Sequence, residues 1–242
     1  MCEDRRVSAS SRPAARPART TGTAGTTGTG RVGRPRAQGP SASGLAPRDQ
    51  VLAAAADLFT RNGYAATTTR AVAERAGMRQ ASMYHYFTGK EDILATLLES
   101  TVEPSLAFAT ALLADPDADP APRLWALAAR DAELLHGGLY NLGALYQLPE
   151  VRGERFADFR GAREALKAAY GQLLALLAPG ADAALRTDLL FGLVEGGVAV
   201  AREHGGRSAE TVARAVADAA VRFAGCAPER AEAARREGER LL

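Results

Sequence analysis

Cysteine is nearly absent from this sequence of 242 residues, in which Cys2 and Cys226 lie at opposite ends. Two such distant cysteines cannot build the disulfide framework of a small secreted domain or a cysteine-based metal site. The sequence therefore favours a reducing compartment, and we expect a cytoplasmic protein. No motif predicts a metal site or a cofactor.

Long apolar runs are absent as well. The most apolar stretch, from Leu189 to Ala201, has 13 residues and includes Glu195, whereas a membrane-spanning helix needs roughly 20 apolar residues. Arg5 and Arg6 near the N-terminus are not followed by the apolar segment of a secretory signal. We therefore expect no membrane partner.

Residues 1–46 have no aromatic side chain and few large apolar ones. They carry eight arginines and two acidic residues, whereas residues 101–242 carry 16 basic and 20 acidic residues. A segment with so little apolar surface cannot offset the entropy lost on ordering, so we expect a disordered basic arm over residues 1–46. A basic end on an acidic remainder suits a protein that meets a polyanion at that end.

From Pro47 onward the sequence has the period of helices, and no segment alternates as a half-buried strand would. Val51, Ala55 and Leu58 are examples of apolar residues spaced by three or four positions. Gly63 and Gly77 follow the first and second predicted helices and favour their ends. The sequence therefore predicts an all-α fold of about nine helices.

Three features of the predicted helices depend on capping and on proline. Thr67 or Thr68 can cap the second helix, because a threonine hydroxyl accepts a free amide of the first turn. Thr88 and Glu91 have the spacing of a capping box at the start of the fourth helix. Pro104 either kinks that helix or ends it near Val102.

A short third helical segment lies between these caps, at residues 79–87. Its spacing predicts that Met83 and Phe87 face the core, and we expect Tyr86 to be buried with them. The side of this segment that faces away from the core then carries Gln80, Ser82, Tyr84 and His85.

The run TTTRAVAERAGMRQASMYHYFTGKEDIL at residues 67–94 resembles the DNA-binding domain of the TetR family of transcriptional repressors. The preceding Leu58-Phe59 and Asn62-Gly63-Tyr64 match the opening of that domain, and the resemblance covers about residues 48–98. It implies an N-terminal three-helix helix-turn-helix domain followed by a C-terminal helical bundle. The expected divisions are the arm (1–46), a DNA-binding domain (47–100), a ligand-binding and dimerisation domain (101–226) and a charged C-terminal tail (227–242).

The family's roles transfer to the matching positions of the motif. The resemblance implies that Arg79, Gln80 and Ser82 face base edges, and that Thr68, Tyr84, His85 and Lys90 contact phosphates. Thr67 is a further candidate phosphate contact, because it lies at a helix start. Helix N-termini support phosphate contacts, because they present free amides and a positive dipole end. The alternative for Tyr84 is a half-buried packing residue, and the alternative for His85 is a solvated one.

Arg34 and Arg36 lie in an RVGRPR run of the basic arm. Many members of the family have a similar arm that enters the minor groove, and narrow A·T grooves attract arginine. The alternative is a charged segment that only aids solubility.

For the C-terminal half the resemblance implies a small-molecule pocket and a homodimer formed by the last two long helices, residues 185–202 and 211–223. The partners expected are a palindromic double-stranded DNA operator, a second copy and a small apolar or amphipathic effector. The candidate ligand contacts are Trp125, His136, Tyr140, Asn141, Tyr170, Phe191 and Glu195, although core positions are the alternative for each.

The resulting hypothesis is a repressor that a small molecule releases from its operator. A helical enzyme or a helical interaction adaptor is the alternative. The three histidines, at positions 85, 136 and 204, are scattered, and no nucleophile elbow or Glu-x-x-His pair accompanies them. We therefore expect no enzymatic activity.

Overall fold

The computed structural model describes residues 44–137, 140, 142–180, 182–203 and 208–242. The predictions for Arg34, Arg36 and Asn141 lie outside these residues, as does the side chain of His136. Within the described ranges the protein is all-α without strands, as predicted. Its helices are α1 (Pro47–Asn62), α2 (Thr69–Arg75), α3 (Gln80–Met83), α4 (Lys90–Leu113), α5 (Pro120–Gly137), α6 (Ala157–Leu177), α7 (Ala183–Glu203), α8 (Ala209–Phe223) and α9 (Pro228–Gly238).

Three short 3₁₀ helices lie between α5 and α6, at Leu142–Gln147, Pro149–Arg152 and Glu154–Phe156. We call residues 142–156 the connecting segment. It packs against α1, α4 and α6. No helix among the described ranges combines the length and the apolar character that crossing a membrane requires.

Helices α1 to α3 and the start of α4 form the N-terminal head. Gly63 and Gly77 have φ of 85° and 72°, a backbone conformation that other residues rarely adopt, and they follow α1 and α2 as predicted. Met83 and Phe87 are buried in the core of the head, which confirms their prediction. Tyr86 is 42% exposed, so the prediction of a buried Tyr86 is wrong. Helix α3 ends at Met83, and Tyr86 lies in the turn that follows.

The sequence predicted the N-terminal cap of α2 correctly but not that of α4. The Thr68 hydroxyl accepts the backbone N–H of Ala71 at 3.1 Å, as predicted. At α4 the residue before the helix is Gly89, so the third helical position is Asp92 rather than Glu91. The backbone N–H of Thr88 accordingly donates to Asp92 Oδ2 at 3.0 Å. The predicted capping box of Thr88 and Glu91 is therefore wrong, because the N-cap Gly89 has no side chain to cap the helix and Asp92 satisfies the amide of Thr88.

Helix α4 runs from the head into the C-terminal bundle. It has 24 residues and continues through Pro104, so of the two predicted outcomes the helix does not stop near Val102. Its buried positions begin at Ile93 in the first turn and reach Leu112 near the end. One continuous helix therefore belongs to both hydrophobic regions.

The C-terminal bundle surrounds α5, which packs against α4, α6, α7, α8 and α9. Trp125 on α5 is fully buried, and its Nε1 donates to Asp218 Oδ1 on α8 at 2.8 Å. Helix α9 closes over the same ring, since a Cβ on Gly238 would lie 2.6 Å from Trp125 Cε3 and 3.0 Å from the carbonyl oxygen of Pro122. The absence of a side chain at position 238 thus permits this close approach.

Gly238→Ala should lower the free energy of unfolding by about 1–3 kcal/mol, because the added methyl overpacks a fixed ring and a backbone carbonyl. Gly161→Ala is the matched control, since a Cβ there meets nothing within 4 Å. That helical substitution should stabilise the protein by up to about 1 kcal/mol. Urea unfolding measures both, and a Gly238→Ala variant as stable as the Gly161→Ala variant would contradict the close packing of α9.

Candidate functional site

A network of hydrogen bonds joins the start of α2 to α3 on the exposed side of the head. Gln80 Nε2 donates to Thr69 Oγ1 at 2.9 Å and to the Tyr84 hydroxyl at 3.3 Å. The hydrogen bonds with Thr69 and then with Gln80 lower the pKa of the exposed Tyr84 hydroxyl. The sequence analysis did not single out Thr69, although a threonine at the first position of α2 could have indicated it. This network holds α3 in a fixed orientation relative to α2.

The three residues expected to face bases lie close together on or beside α3. Arg79 and Ser82 are exposed, and Gln80 is partly buried by its hydrogen bonds. Arg79 occupies the N-cap of α3 and makes no side-chain cap, which agrees with a guanidinium that has no acceptor. Among the described residues it has no ion-pair partner. Its donors are therefore free to bind a group outside the protein.

The predicted phosphate contacts fall into two groups. Thr68, Tyr84 and His85 are exposed. Thr67 is buried, and its hydroxyl donates to the carbonyl oxygens of Gly63 at 2.8 Å and Leu58 at 3.3 Å. The structure contradicts a phosphate contact through the Thr67 side chain, because that hydroxyl ties α1 to the turn before α2.

Lys90, at the start of α4, has a structural role that the sequence did not indicate. Its Nζ donates to the carbonyl oxygens of Tyr64 at 2.9 Å and Ala65 at 3.4 Å. It also lies 4.2 Å from the centroid of the Tyr64 ring, within the range of a cation–π contact. Lys90 therefore fixes the α1–α2 loop, and its contact with phosphate stays a prediction.

Several basic side chains of the head are already paired. Arg61 and Arg75 both contact the buried carboxylate of Asp57, at 2.7 Å and 2.9 Å. Arg70 pairs with Glu74 at 2.8 Å. Within the described ranges, Arg79 therefore remains a positive charge without a paired carboxylate at the start of α3.

A second candidate site is a polar cluster inside the bundle, around Asp131 on α5. The carboxylate is fully enclosed and accepts the hydroxyl protons of Ser105 at 2.9 Å and Tyr170 at 3.1 Å. Burial raises the pKa of Asp131 to about 6, although both hydrogen bonds oppose the shift. Burial and the neighbouring Asp131 also raise the pKa of Tyr170 well above its ordinary value.

A partly buried ion pair lies near this cluster. The Nε and Nη2 atoms of Arg163, on α6, donate to the two carboxylate oxygens of Glu195, on α7, at 2.7 Å and 2.5 Å. The guanidinium also lies 5.0 Å from the centroid of the Phe191 ring, which packs edge-on against Tyr170. The structure thus brings together three predicted ligand residues, Tyr170, Phe191 and Glu195.

The other predicted ligand contacts have different surroundings. Trp125 is held by Asp218 and covered by α9, and Tyr140 is half-buried against the core. Asp131 and Arg163 were missed. The signal for Asp131 was a carboxylate among the apolar residues of a predicted helix, but its partners on α4 and α6 are distant in sequence.

An apolar groove lies between α7 and α8, the helices expected to form a dimer. Its volume is about 320 Å³, and its lining includes Leu193, Val212 and Val216. A Cβ built on Gly192 or Gly196 would meet nothing within 4 Å. Glycines therefore leave space along α7 that no described part of the chain fills.

Comparisons with known proteins agree with this architecture. A family model described as bacterial regulatory proteins of the tetR family matches residues 51–97. The chain is similar to the solved structure of Mycobacterium smegmatis AmtR, at 40% identity and a TM-score of 0.73, covering 81% of this chain and 96% of that one. It is also similar to PfmR of Thermus thermophilus, a TetR family transcriptional regulator, at 25% identity and a TM-score of 0.61, covering 71% and 97% of the two chains.

A further relative is the HTH-type transcriptional repressor KstR2 of Mycobacterium tuberculosis, which is 35% identical over 80 residues. The match covers 33% of this chain and 40% of that protein. The chain therefore matches less than half the length of the KstR2 repressor, whereas its similarity to AmtR extends over both the head and the bundle.

Asp131→Asn should change the pH dependence of stability. The folded state holds the Asp131 proton up to about pH 6, whereas an unfolded aspartate releases it near pH 4, so this group favours folding at low pH and loses that contribution as the pH rises through 6. The stability of the variant relative to the wild type should therefore rise between pH 4.5 and pH 8, by about 3 kcal/mol at most. Urea unfolding at both pH values measures it.

Asp117→Asn is the matched control, since Asp117 is exposed in the α4–α5 loop. Its relative stability should stay nearly constant over the same pH range. A constant difference for Asp131→Asn as well would mean that the carboxylate is not enclosed in the folded protein.

Proposed function

Because this chain belongs to the TetR family of transcriptional regulators, we propose that it is a sequence-specific repressor that a small molecule releases from its operator. The observation that carries this proposal is the exposed surface of α3, where Arg79 has no ion-pair partner in the part of the chain that the structure describes, while neighbouring basic residues are paired. An enzyme or an adaptor would not require such a surface. Such a repressor acts in the cytoplasm, where its DNA lies.

In this proposal α3 enters the major groove. Arg79 binds guanine O6 and N7, because its planar fork matches those two acceptors. Gln80 and Ser82 contact neighbouring base edges. Thr68, Tyr84, His85 and Lys90 bind phosphates, and the arm with Arg34 and Arg36 enters an adjacent minor groove.

The proposed active form is a homodimer in which the α7–α8 groove of each copy receives the other. Apolar lining and open glycines support this arrangement, since two helices can approach closely where side chains are small. A two-fold dimer presents two copies of α3, which suits a palindromic operator.

The proposed effector binds in the bundle, near the polar groups around Asp131 and Glu195. It acts by favouring a spacing of the two α3 helices that does not fit DNA. Release requires that the effector binds this conformation more tightly than the DNA-bound one.

Arg79→Ser tests the reading of bases. Serine at the N-cap can accept a free amide of the first turn of α3, so the variant should be more stable by about 0.5–2 kcal/mol. Its DNA binding should weaken by about 1–3 kcal/mol, with the loss concentrated at one G·C pair of each half-site. Thermal denaturation measures the first effect, and selection of binding sites from random DNA measures the second.

Arg240→Ser is the control for the loss of positive charge, since Arg240 is exposed at the far end of the chain. It should leave the selected site unchanged. An unchanged site for Arg79→Ser would make Arg79 a phosphate contact, and a wild-type protein that shows no salt-sensitive, specific DNA binding would refute the proposed function.

Gly196→Glu tests the dimer. A carboxylate in the α7–α8 groove should break the association, because it cannot be buried unpaired. The wild type should sediment as a dimer and the variant as a monomer with its helix content retained. Gly161→Glu, on the exposed side of α6, is the control and should remain a dimer; a dimeric Gly196→Glu variant would place the interface elsewhere.

A further inference from the structure

We propose that the effector is a carboxylate with an apolar body, bound in a cleft between α6 and the connecting segment where Arg152, Arg160 and Arg163 come together. The regulatory meaning of this site rests on the proposed function, whereas the binding itself does not require DNA. The cleft is distinct from the α7–α8 groove.

The cleft has the size and the mixed lining of a small-molecule site. Its volume is about 440 Å³, within the range of roughly 300–1,000 Å³ that such sites occupy. The apolar lining comes from Tyr146, Leu148, Val151 and Phe159, and Tyr146 packs edge-on against Phe159 at 5.1 Å between ring centroids. This part can hold an aliphatic or aromatic body.

The charges of the lining favour an anion. Three arginines face the cleft, and Glu164 is the acidic residue in the lining. Arg152 and Arg160 have no carboxylate partner among the residues that the structure describes. Arg160 uses Nη1 for the carbonyl oxygens of Val151 and Gly153, at 2.8 Å and 2.6 Å, so its other nitrogens remain available. Guanidinium groups with free donors bind carboxylates in a fork geometry.

Arg163 connects the cleft to the interior of the bundle. Two of its nitrogens are held by Glu195, while its Nη1 lies 4.0 Å from Glu164 Oε1. A carboxylate in the cleft competes with Glu195 for this guanidinium. Because Glu195 lies on α7, the competition alters the link between α6 and a helix of the proposed dimer groove.

The connecting segment offers a second route from the cleft, toward the head. It contributes Val151 and Arg152 to the lining, and three residues further on Arg155 pairs with Asp92 at 2.6 Å and with Glu99 at 3.4 Å. Both carboxylates belong to α4. A ligand held by Arg152 therefore acts on the segment that is fastened to the helix entering the head.

The experiment is calorimetric titration of the full chain without DNA. The probes are n-alkanoates from butanoate to decanoate and 4-phenylbutanoate, each compared with the alcohol of the same skeleton, and inorganic phosphate alone. At least one carboxylate should bind about tenfold or more tightly than its alcohol, the effect expected of charge-assisted hydrogen bonds. If no carboxylate exceeds its alcohol, or if phosphate binds as tightly as the best carboxylate, the proposal is wrong.

Two variants assign the binding to this cleft. Arg152→Gln should weaken the best carboxylate about tenfold or more, whereas Arg240→Gln should leave its affinity unchanged. Glu195→Gln should strengthen binding, because it releases Arg163 from a competing carboxylate. Arg152 is exposed and has no described partner, so folding is retained, and unchanged affinity in Arg152→Gln would overturn the site.

Binding to operator DNA, measured by fluorescence anisotropy with no probe present, separates this proposal from the function on which it rests. Carboxylate binding without specific DNA binding would refute the repressor and leave the cleft intact. Specific DNA binding without any carboxylate preference would refute the cleft and leave the repressor intact.

Discussion

The burial of α5 on nearly all sides is the constraint on which the rest of the structure depends; residues 121–129 of this helix are all buried. Its alanines, including Ala126 and Ala128, are fully buried and let the surrounding helices approach closely. Any polar side chain on such a helix must find its partners inside the protein. Arg123 does so by donating to the carbonyl oxygens of Leu112 and Asp115, at 3.1 Å and 2.7 Å, which places a positive charge at the C-terminal end of α4.

Asp131 meets the same requirement in a way that matters for function. Its carboxylate is satisfied by Ser105 and Tyr170, from two different helices, so α4, α5 and α6 share one polar contact. The Arg163–Glu195 pair extends the polar region to α7. Polar links between four helices favour a few discrete packing arrangements over a continuous range, and the proposed effector would act by selecting one of them.

Local signals predicted most of the fold, whereas contacts between distant residues decided the exceptions. The apolar spacing, Gly63 and Gly77 were sufficient for the helices of the head, because helix ends depend on a few neighbouring residues. The burial of Thr67 and the tie between Lys90 and Tyr64 depend on how α1 meets the next elements, so no local pattern contains them. Arg152, Arg160 and Arg163 were missed for the same reason, because the sequence does not distinguish a charged residue that lines a cleft from one on an open surface.

Because α4 is continuous, the number of residues in it determines how the head is rotated relative to the bundle. Each residue of an α-helix advances the chain by about 1.5 Å and rotates it by about 100°. Leu98 and Val102 are both buried, and they lie between the turns of α4 that belong to the head and the turns that belong to the bundle. A single residue inserted there would rotate α3 by about 100° about the α4 axis relative to the bundle. It would also separate contacts between head and bundle, such as the Arg155–Asp92 pair and the packing of α1 on the connecting segment. The number of residues in α4 therefore sets the orientation of the head relative to the bundle, as the side chains in their contacts do.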